Sequence, residues 1–514
     1  MDPDRQTVKK QSLLVGGKGC LRQRAGLFLG PVLFLSVVLI PGPSDLTHEA
    51  RMVLATAFWM AAWWITEAVP IPATSLLPII LFPATGVMTT QAATYPYANH
   101  LVFLFMGGFM IALAMEKWNL HRRIALLVIR ALGESPERII LGFMVSTAAL
   151  SMWISNTATA MMMTPIGLAV IYQTSDMLKV RGDIKEAIKS GKFQFGTALM
   201  LGIAYSASIG GIATIIGTPP NAVFVGILKE MYDVDIGFAQ WMLYGVPLAA
   251  LFLVLTWIYL SRVAFTFEFD EIPGGMDVIT GELKKLGPVK RQEIQVLAVF
   301  LLTGFLWVIR GFLLNDIFPK LSDASIAVFG AMLLFVIPVN FREGKFLLDW
   351  KTALKIPWGI LLLFGGGISL AEGFRVSGLA EWLAMQLSGL EGTSMLLIVF
   401  SVVVLAIFLT EMTSNTATAT MLMPIMAALA VAVGIHPYAT MVTAAVACSF
   451  AFMLPVATPP NAIVFGSGYI SIPTMARTGL ALNMAGIILV TLVTIYLLPL
   501  VWNIDLGVVP MWAK

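Results

Sequence analysis

Charge is scarce in this chain. Of its 514 residues only 12% are Asp, Glu, Lys or Arg, about half the share a soluble globular protein carries, so an ordinary water-soluble domain is excluded. Cysteine is nearly absent too. Cys20 lies in a basic N-terminal stretch and Cys448 inside an apolar run, which rules out a disulfide framework and any thiol-based metal box. The four histidines (His48, His100, His121, His436) have no ligand spacing, and no nucleophile–base pair or cofactor loop is found, so the chain does not read as an enzyme. A net charge of +3 with scattered basic residues leaves no nucleic-acid footprint.

Apolar sequence is abundant. Hydrophobic residues make up 58% of the chain and the mean hydropathy is +0.87. Runs of roughly 20 apolar residues recur, each long enough to cross a bilayer as a helix, the structure that satisfies its own backbone in lipid. The fold expected is an all-α polytopic membrane protein. Spans are predicted near Gly26–Ile40, Met52–Val69, Ile71–Val87, Leu101–Met115, Phe195–Leu228, Trp241–Val263, Glu293–Leu314, Ala324–Val339, Trp358–Ala371, Tyr438–Tyr469 and Gly479–Val501. The first lacks a clear cleavage site and reads as a retained span. The 29 methionines read as adaptable packing.

Two apolar segments, Ile139–Tyr172 and Leu396–Val433, behave differently. The first has basic residues on both flanks: Lys117, Arg122, Arg123, Arg130 and Arg138 before it, Lys179, Arg181, Lys185, Lys189 and Lys192 after it. A single crossing would put one cluster outside, against the positive-inside rule. A re-entrant hairpin from the cytoplasmic side resolves this, with Leu396–Val433 as its counterpart from outside. All 32 Lys and Arg then fall inside except Arg51, Lys229, Arg310, Lys320, Arg375 and Lys514. The expectation is a cytoplasmic N-terminus, eleven crossings, an outside C-terminus, and residence in the plasma membrane (the inner membrane in a bacterium).

The chain repeats itself. Ser155-Asn156-Thr157 recurs as Ser414-Asn415-Thr416, and Phe105-Met106-Gly107-Gly108 as Phe364-Gly365-Gly366-Gly367, both at an offset of 259. Gly217-Thr218-Pro219-Pro220-Asn221 recurs as Ala457-Thr458-Pro459-Pro460-Asn461 at an offset of 240. Five crossings per half make the repeats inverted, an arrangement that sets transporter sites at the midplane. His121–Leu132 and Gly378–Leu387, just before the two hairpins, are amphipathic and read as interfacial helices or as solvated connectors. Ser175–Lys192 and Glu268–Arg291 read as cytoplasmic linkers. The phenylalanine–glycine pairs read as close packing at a helix crossing.

Ser-Asn-Thr in mid-membrane needs a reason. One copy would ordinarily bond a neighbouring helix. Two copies, each followed by Thr-Pro-Pro, point to a site. Ser, Asn and Thr are helix N-caps, so at a hairpin tip they start a half-helix that aims free N–H groups and the positive dipole end at the tip. Two tips from opposite faces make a cradle for an anion with two negative ends, without Lys or Arg. Ser155, Asn156, Thr157, Ser414, Asn415 and Thr416 are the candidate substrate-binding residues, with Thr218, Pro219, Thr458 and Pro459 at the second pair of breaks. Proline there removes a donor and restarts the helix, freeing carbonyls near Gly217 and Ala457 as oxygen ligands. Ser151 and Thr410 lie four residues before the tips, on the same helix face. Ser151, Ser155, Asn156 and Gly217 can encircle one sodium ion; Thr410, Thr413, Asn415 and Ala457 can encircle another. Cations beside the cradle offset the dianion and couple the two bindings. Glu411, in the second hairpin arm, either partners a nearby donor or biases cation binding. Glu67, near a helix end, reads as structural.

The paired tips, the paired breaks and the run Trp64-Ile65-Thr66-Glu67-Ala68-Val69-Pro70-Ile71-Pro72-Ala73-Thr74-Ser75 resemble the divalent anion/sodium symporter family from the second span onward. The resemblance implies an elevator: a homodimeric scaffold and a mobile transport unit made of the hairpins and broken helices. It implies that both Ser-Asn-Thr motifs contact substrate carboxylates and that both oxygen sets hold sodium. On that plan residues 1–25 are a basic tail outside the resemblance, 26–132 and 292–390 scaffold, 133–265 and 391–514 transport unit, and 266–291 a linker. The expected function is sodium-coupled symport of a C4-dicarboxylate such as succinate, malate or fumarate. Dicarboxylate exchange without net sodium coupling, carriage of citrate or sulfate, and an anion channel are the alternatives.

Overall fold

The computed structural model describes residues 3–133, 135–179, 194–267, 274–314 and 317–513, with side chains from residue 21 onward except at 176–179 and 312. The basic residues Arg181, Lys185, Lys189 and Lys192 and the terminal Lys514 lie outside the described residues, as does most of the linker Ser175–Lys192. The described chain is helical almost throughout. One small departure from an all-α fold is an antiparallel two-stranded hairpin, Pro338–Asn340 with Lys345–Phe346, formed where Pro338 ends the preceding span.

The first helix runs Pro3–Leu39, beginning well before the apolar run expected from Gly26, and packs along His48–Thr66. Thr47 caps the second helix by accepting the Ala50 N–H at 3.1 Å. Seven helices among the described residues are long and apolar enough to cross a membrane alone. Others, such as Ile71–Ala84, Asp323–Val336 and Pro437–Ala447, are shorter apolar pieces. The shortness has a cause: these stretches are cut by Pro72 and Pro78, by Pro338 and by the break after Ala447.

Both predicted hairpins are cut at the expected place. The first has arms Pro136–Ser151 and Asn156–Lys179, the second Met395–Thr410 and Asn415–Val433. The amphipathic segments are helices, Leu120–Leu132 and Leu379–Leu387, and the second turns by 119° into its hairpin arm. Both Thr-Pro-Pro runs interrupt helices: Gln194–Gly211 stops and restarts at Pro219–Tyr232, and Pro437–Ala447 restarts at Pro459–Phe465.

Burial is strongest around the first broken helix. Every residue from Phe195 to Gly211 is buried, as a helix apolar on all sides requires. By contrast Arg291–Ile309 is only 28% buried and leaves Leu301 and Phe305 exposed, a surface suited to lipid. Close approach at the helix crossings uses the repeated glycines: a Cβ on Gly107 would sit 2.6 Å from the Ala327 carbonyl carbon, and the Phe105 and Phe364 rings meet edge to face at 4.7 Å. At the first hairpin's turn, Trp153 lies 4.9 Å from Phe300 and stacks on Phe238 and Trp307.

The linker between the repeats holds a helix, Gly275–Leu286. Its Glu282 pairs with Arg122 and Lys285. Beside it the buried Arg123 grips Glu293 with two nitrogens and donates to the Gly287 and Pro288 carbonyls. Lys117 bonds Asp349 at 2.6 Å at the same end of the molecule.

Candidate functional site

The four interruptions converge. A cavity of about 440 Å³ is lined by Ser155, Asn156, Thr157, Ser414, Asn415, Thr416, Gly217, Thr218, Pro219, Ala457, Thr458 and Pro459. Phe105, Phe109, Ile216, Ile360 and Val456 supply apolar walls. The volume lies in the roughly 300–1,000 Å³ range of small-molecule sites. All ten residues expected to bind substrate therefore share one space, although the two hairpin motifs stand 259 positions apart in sequence. The arms that start at Asn156 and Asn415 turn their N-terminal ends to it, and so does Pro219–Tyr232. Their first turns leave N–H groups without intrahelical partners. Among the described residues no Lys or Arg lines the cavity, and Glu67 is the one ionisable group there, so the groups that can hold an anion are neutral donors and helix dipoles.

Each hairpin tip closes on an asparagine. Ser151 Oγ lies 2.6 Å from Asn156 Oδ1 and 2.7 Å from the Ala207 carbonyl. Thr410 Oγ1 lies 2.8 Å from Asn415 Oδ1 and 2.8 Å from the Cys448 carbonyl. Each hydroxyl has one proton for two acceptors. At the first tip the crowding is greater: the Asn156 amide oxygen faces Ser151 Oγ, the Ala207 carbonyl at 3.1 Å and the Gly217 carbonyl at 3.2 Å. Turning the amide over would bring its nitrogen, with two N–H donors, to face these three oxygens instead. With its oxygen inward, the cluster offers neutral hydroxyl, amide and carbonyl oxygens, the ligand type a hard cation takes. The donor set therefore fits an alkali cation. Ser155 lines the cavity while its hydroxyl accepts from the Ala158 N–H. Thr413 bonds the Leu409 carbonyl and Thr418 rather than Asn415. Ala457 lines the cavity beside Val456.

Three groups that sequence reasoning did not place in the site hold it in shape. The Asn221 amide donates to the Gly211, Ile212 and Thr214 carbonyls, the last at 2.8 Å. The Asn461 amide donates to the Ala451 and Leu454 carbonyls, both at 3.0 Å. Each asparagine thus ties down the unwound backbone before its own break, and their shared place after Pro-Pro was the available signal. Gly217 is required by contact: a Cβ there would lie 2.4 Å from the Gly211 oxygen.

The third group is Glu411. Its buried carboxylate accepts from the N–H groups of Phe452 at 2.7 Å, Met453 at 2.8 Å and Leu454 at 3.2 Å, and from the Asn483 amide at 2.7 Å. It clamps the second hairpin to the second unwound segment. The first repeat has Met152 at the matching place and reverses the link: Thr214, on the unwound segment, donates to the Met152 carbonyl and accepts the Gly217 N–H.

Interrupted helices meeting around a cavity with apolar walls and converging neutral donors, inside a helical membrane fold, are the architecture of a transport protein. The chain belongs to the sodium:sulfate symporter family, whose transmembrane-region model matches residues 22–503. It is 48% identical over 486 residues to the sodium-dependent dicarboxylate transporter SdcS of Staphylococcus saprophyticus, covering 94% of this chain and 93% of that one. It is 46% identical over 488 residues to the protein of the same name in Staphylococcus aureus strain COL, with the same coverage. The family is one of transporters, not enzymes, and the expected resemblance is borne out. Two solved structures share the fold at low identity. The Alcanivorax borkumensis YdaH transporter has a TM-score of 0.53 at 12% identity, covering 88% of this chain and 98% of its own. The Neisseria gonorrhoeae MtrF structure has 0.55 at 11%, covering 90% and 96%.

Proposed function

We propose that this protein is a secondary active transporter that moves a C4-dicarboxylate such as succinate together with sodium ions. The observation that carries the reading is the convergence of both Ser-Asn-Thr tips and both Thr-Pro-Pro breaks on one cavity that no Lys or Arg among the described residues lines. The relatives named as sodium-dependent dicarboxylate transporters support the substrate and the coupling ion. In this reading one carboxylate rests on the donors of Ser155, Asn156 and Thr157 and the other on those of Ser414, Asn415 and Thr416. Thr218, Pro219, Thr458 and Pro459 complete the cradle. One sodium ion sits among Ser151, Ser155, Asn156 and Gly217, with the Ala207 carbonyl added. A second sits near Thr410, Asn415 and Ala457, with the Cys448 carbonyl added and Thr413 alongside. The two positive charges lower the energy of the dianion, so neither ligand binds well alone.

The same reading takes the hairpins and broken helices as a unit that slides on a scaffold, as a homodimer in the membrane with a cytoplasmic N-terminus. In support, groups assigned to the cytoplasmic side find one another: Lys117 with Asp349, Arg122 with Glu282, and the Trp257 indole with the Glu137 carbonyl. Groups assigned outside do likewise: Lys229 with Asp235, and Arg310 with Asp323.

The test is succinate uptake by the purified protein in liposomes. Accumulation should require an inward sodium gradient, cease when choline replaces sodium, and fall to background in Asn156→Ala and Asn415→Ala. Counterflow that persists in choline would replace symport with exchange, and near-normal uptake by either variant would remove the site assignment.

A further inference from the structure

Among the described residues one ionisable side chain lines the cavity, and its sign is wrong for the cargo. Glu67 shares the lining with Ile71 and Ile360. It is exposed, so it stands at the rim. Its backbone is left-handed, at φ 50° and ψ 35°, a conformation that disfavours a residue with a long side chain. The turn that holds it is fixed from both ends. Thr66 Oγ1 donates to the Ala62 carbonyl at 2.6 Å, and the indole of the fully buried Trp64 donates to the Ile71 carbonyl at 3.2 Å. No side chain among the described residues forms an ion pair or hydrogen bond with the Glu67 carboxylate, whereas Glu282, Glu293, Glu372 and Glu411 all have such partners.

We propose that Glu67 is an electrostatic rim charge that speeds release of the dianion through this mouth and draws sodium toward it. The inference rests on the reading of the cavity as the dicarboxylate and sodium site. A carboxylate at the edge of a cavity of about 440 Å³ sits on the order of 10 Å from a ligand within it. At that distance, one charge against two lowers dianion affinity about threefold at physiological salt and more at low salt. The same charge raises the local sodium concentration. A cation is thus retained at the mouth where the dianion is repelled, which orders unloading as anion first. On the topology proposed above, Glu67, Ile71 and Ile360 face the cytoplasm, so the effect favours delivery into the cell.

The experiment compares wild type, Glu67→Gln and Glu67→Asp in right-side-out and inside-out vesicles, with succinate and sodium as probes. Glu67→Gln should lower the succinate KM about threefold where the cytoplasmic face is exposed and raise the sodium half-saturation there. Both shifts should grow at low ionic strength, the opposite face should stay unchanged, and Glu67→Asp should follow wild type. The proposal is overturned if Glu67→Gln matches wild type at both faces, if succinate and sodium shift in the same direction, or if Gln and Asp behave alike. Asn156→Ala run in parallel separates the two failures. If it is inactive while Glu67→Gln is silent, only the rim charge is lost; if it transports normally, the site itself is.

Discussion

Replacing Glu411 by Gln removes the charge from a carboxylate that four donors share. Three backbone N–H groups, of Phe452, Met453 and Leu454, and the Asn483 amide point at it, and the side chain is buried. Hydrogen bonds to a charged acceptor contribute about 1.5–3 kcal/mol each, against about 1 kcal/mol for a neutral one. Gln offers one acceptor oxygen, and its amide must face either the Leu454 N–H or the other three donors. Against the loss stands the relief of no longer burying a charge. The net expectation is a destabilisation of about 2–4 kcal/mol for Glu411→Gln, and more for Glu411→Ala, which leaves all four donors unpaired in a dry environment. Because the clamped segment carries the Cys448 carbonyl beside Thr410 and Asn415 at one end and Ala457 at the other, loosening it should also weaken sodium binding. Thermal unfolding of the purified protein, titrated with sodium, reads both effects. A Glu411→Gln protein that melts like wild type and keeps the same sodium dependence would refute the clamp.

Gly217→Ala should abolish sodium-dependent stabilisation, because its Cβ would press on the Gly211 oxygen at 2.4 Å; overpacking of this kind costs about 1–3 kcal/mol, and a sodium titration of the melting temperature checks it. Arg123→Met strands the buried Glu293 carboxylate and should destabilise by about 3–5 kcal/mol, with much of the loss recovered in Arg123→Met/Glu293→Leu, as denaturation of the single and double variants will show. The Lys117 ammonium holds the Asp349 carboxyl down, from 3.8 to about 2. Asp349→Asn should therefore be less stable than wild type at neutral pH, and the gap should narrow as pH falls from about 4 and close only below about 2, where the folded carboxyl is protonated too. Melting curves across that range test the sign.

The legible parts of the site were those that broke a pattern. Ser-Asn-Thr and Thr-Pro-Pro stand out because hydroxyls, amides and prolines are unfavourable inside apolar runs, and their duplication at fixed offsets marked them as a pair. Hairpin arms and helix restarts followed from the capping preferences of Ser155, Ser414, Thr218 and Thr458. The carbonyls of Ala207 and Cys448 were not legible, since a backbone oxygen leaves no mark on the side chain that carries it. Glu411 was visible as an anomaly, but its partners lie 41 to 72 residues away, a distance only tertiary packing closes. Thr413 was adjacent to the second tip in sequence, yet its hydroxyl turns back to Leu409 and Thr418. The helix Gly275–Leu286 hid in a polar linker because it packs against Leu120–Leu132 and Asn156–Lys179 rather than crossing lipid.

Whether the two tips serve one ligand is tested most directly by counting bound succinate. Equilibrium binding to the purified protein in saturating sodium should give one succinate per chain in wild type, and none in either Asn156→Ala or Asn415→Ala. Two succinates per chain, or a single variant that keeps half of the binding, would mean that the motifs hold separate ligands and that no shared cradle exists.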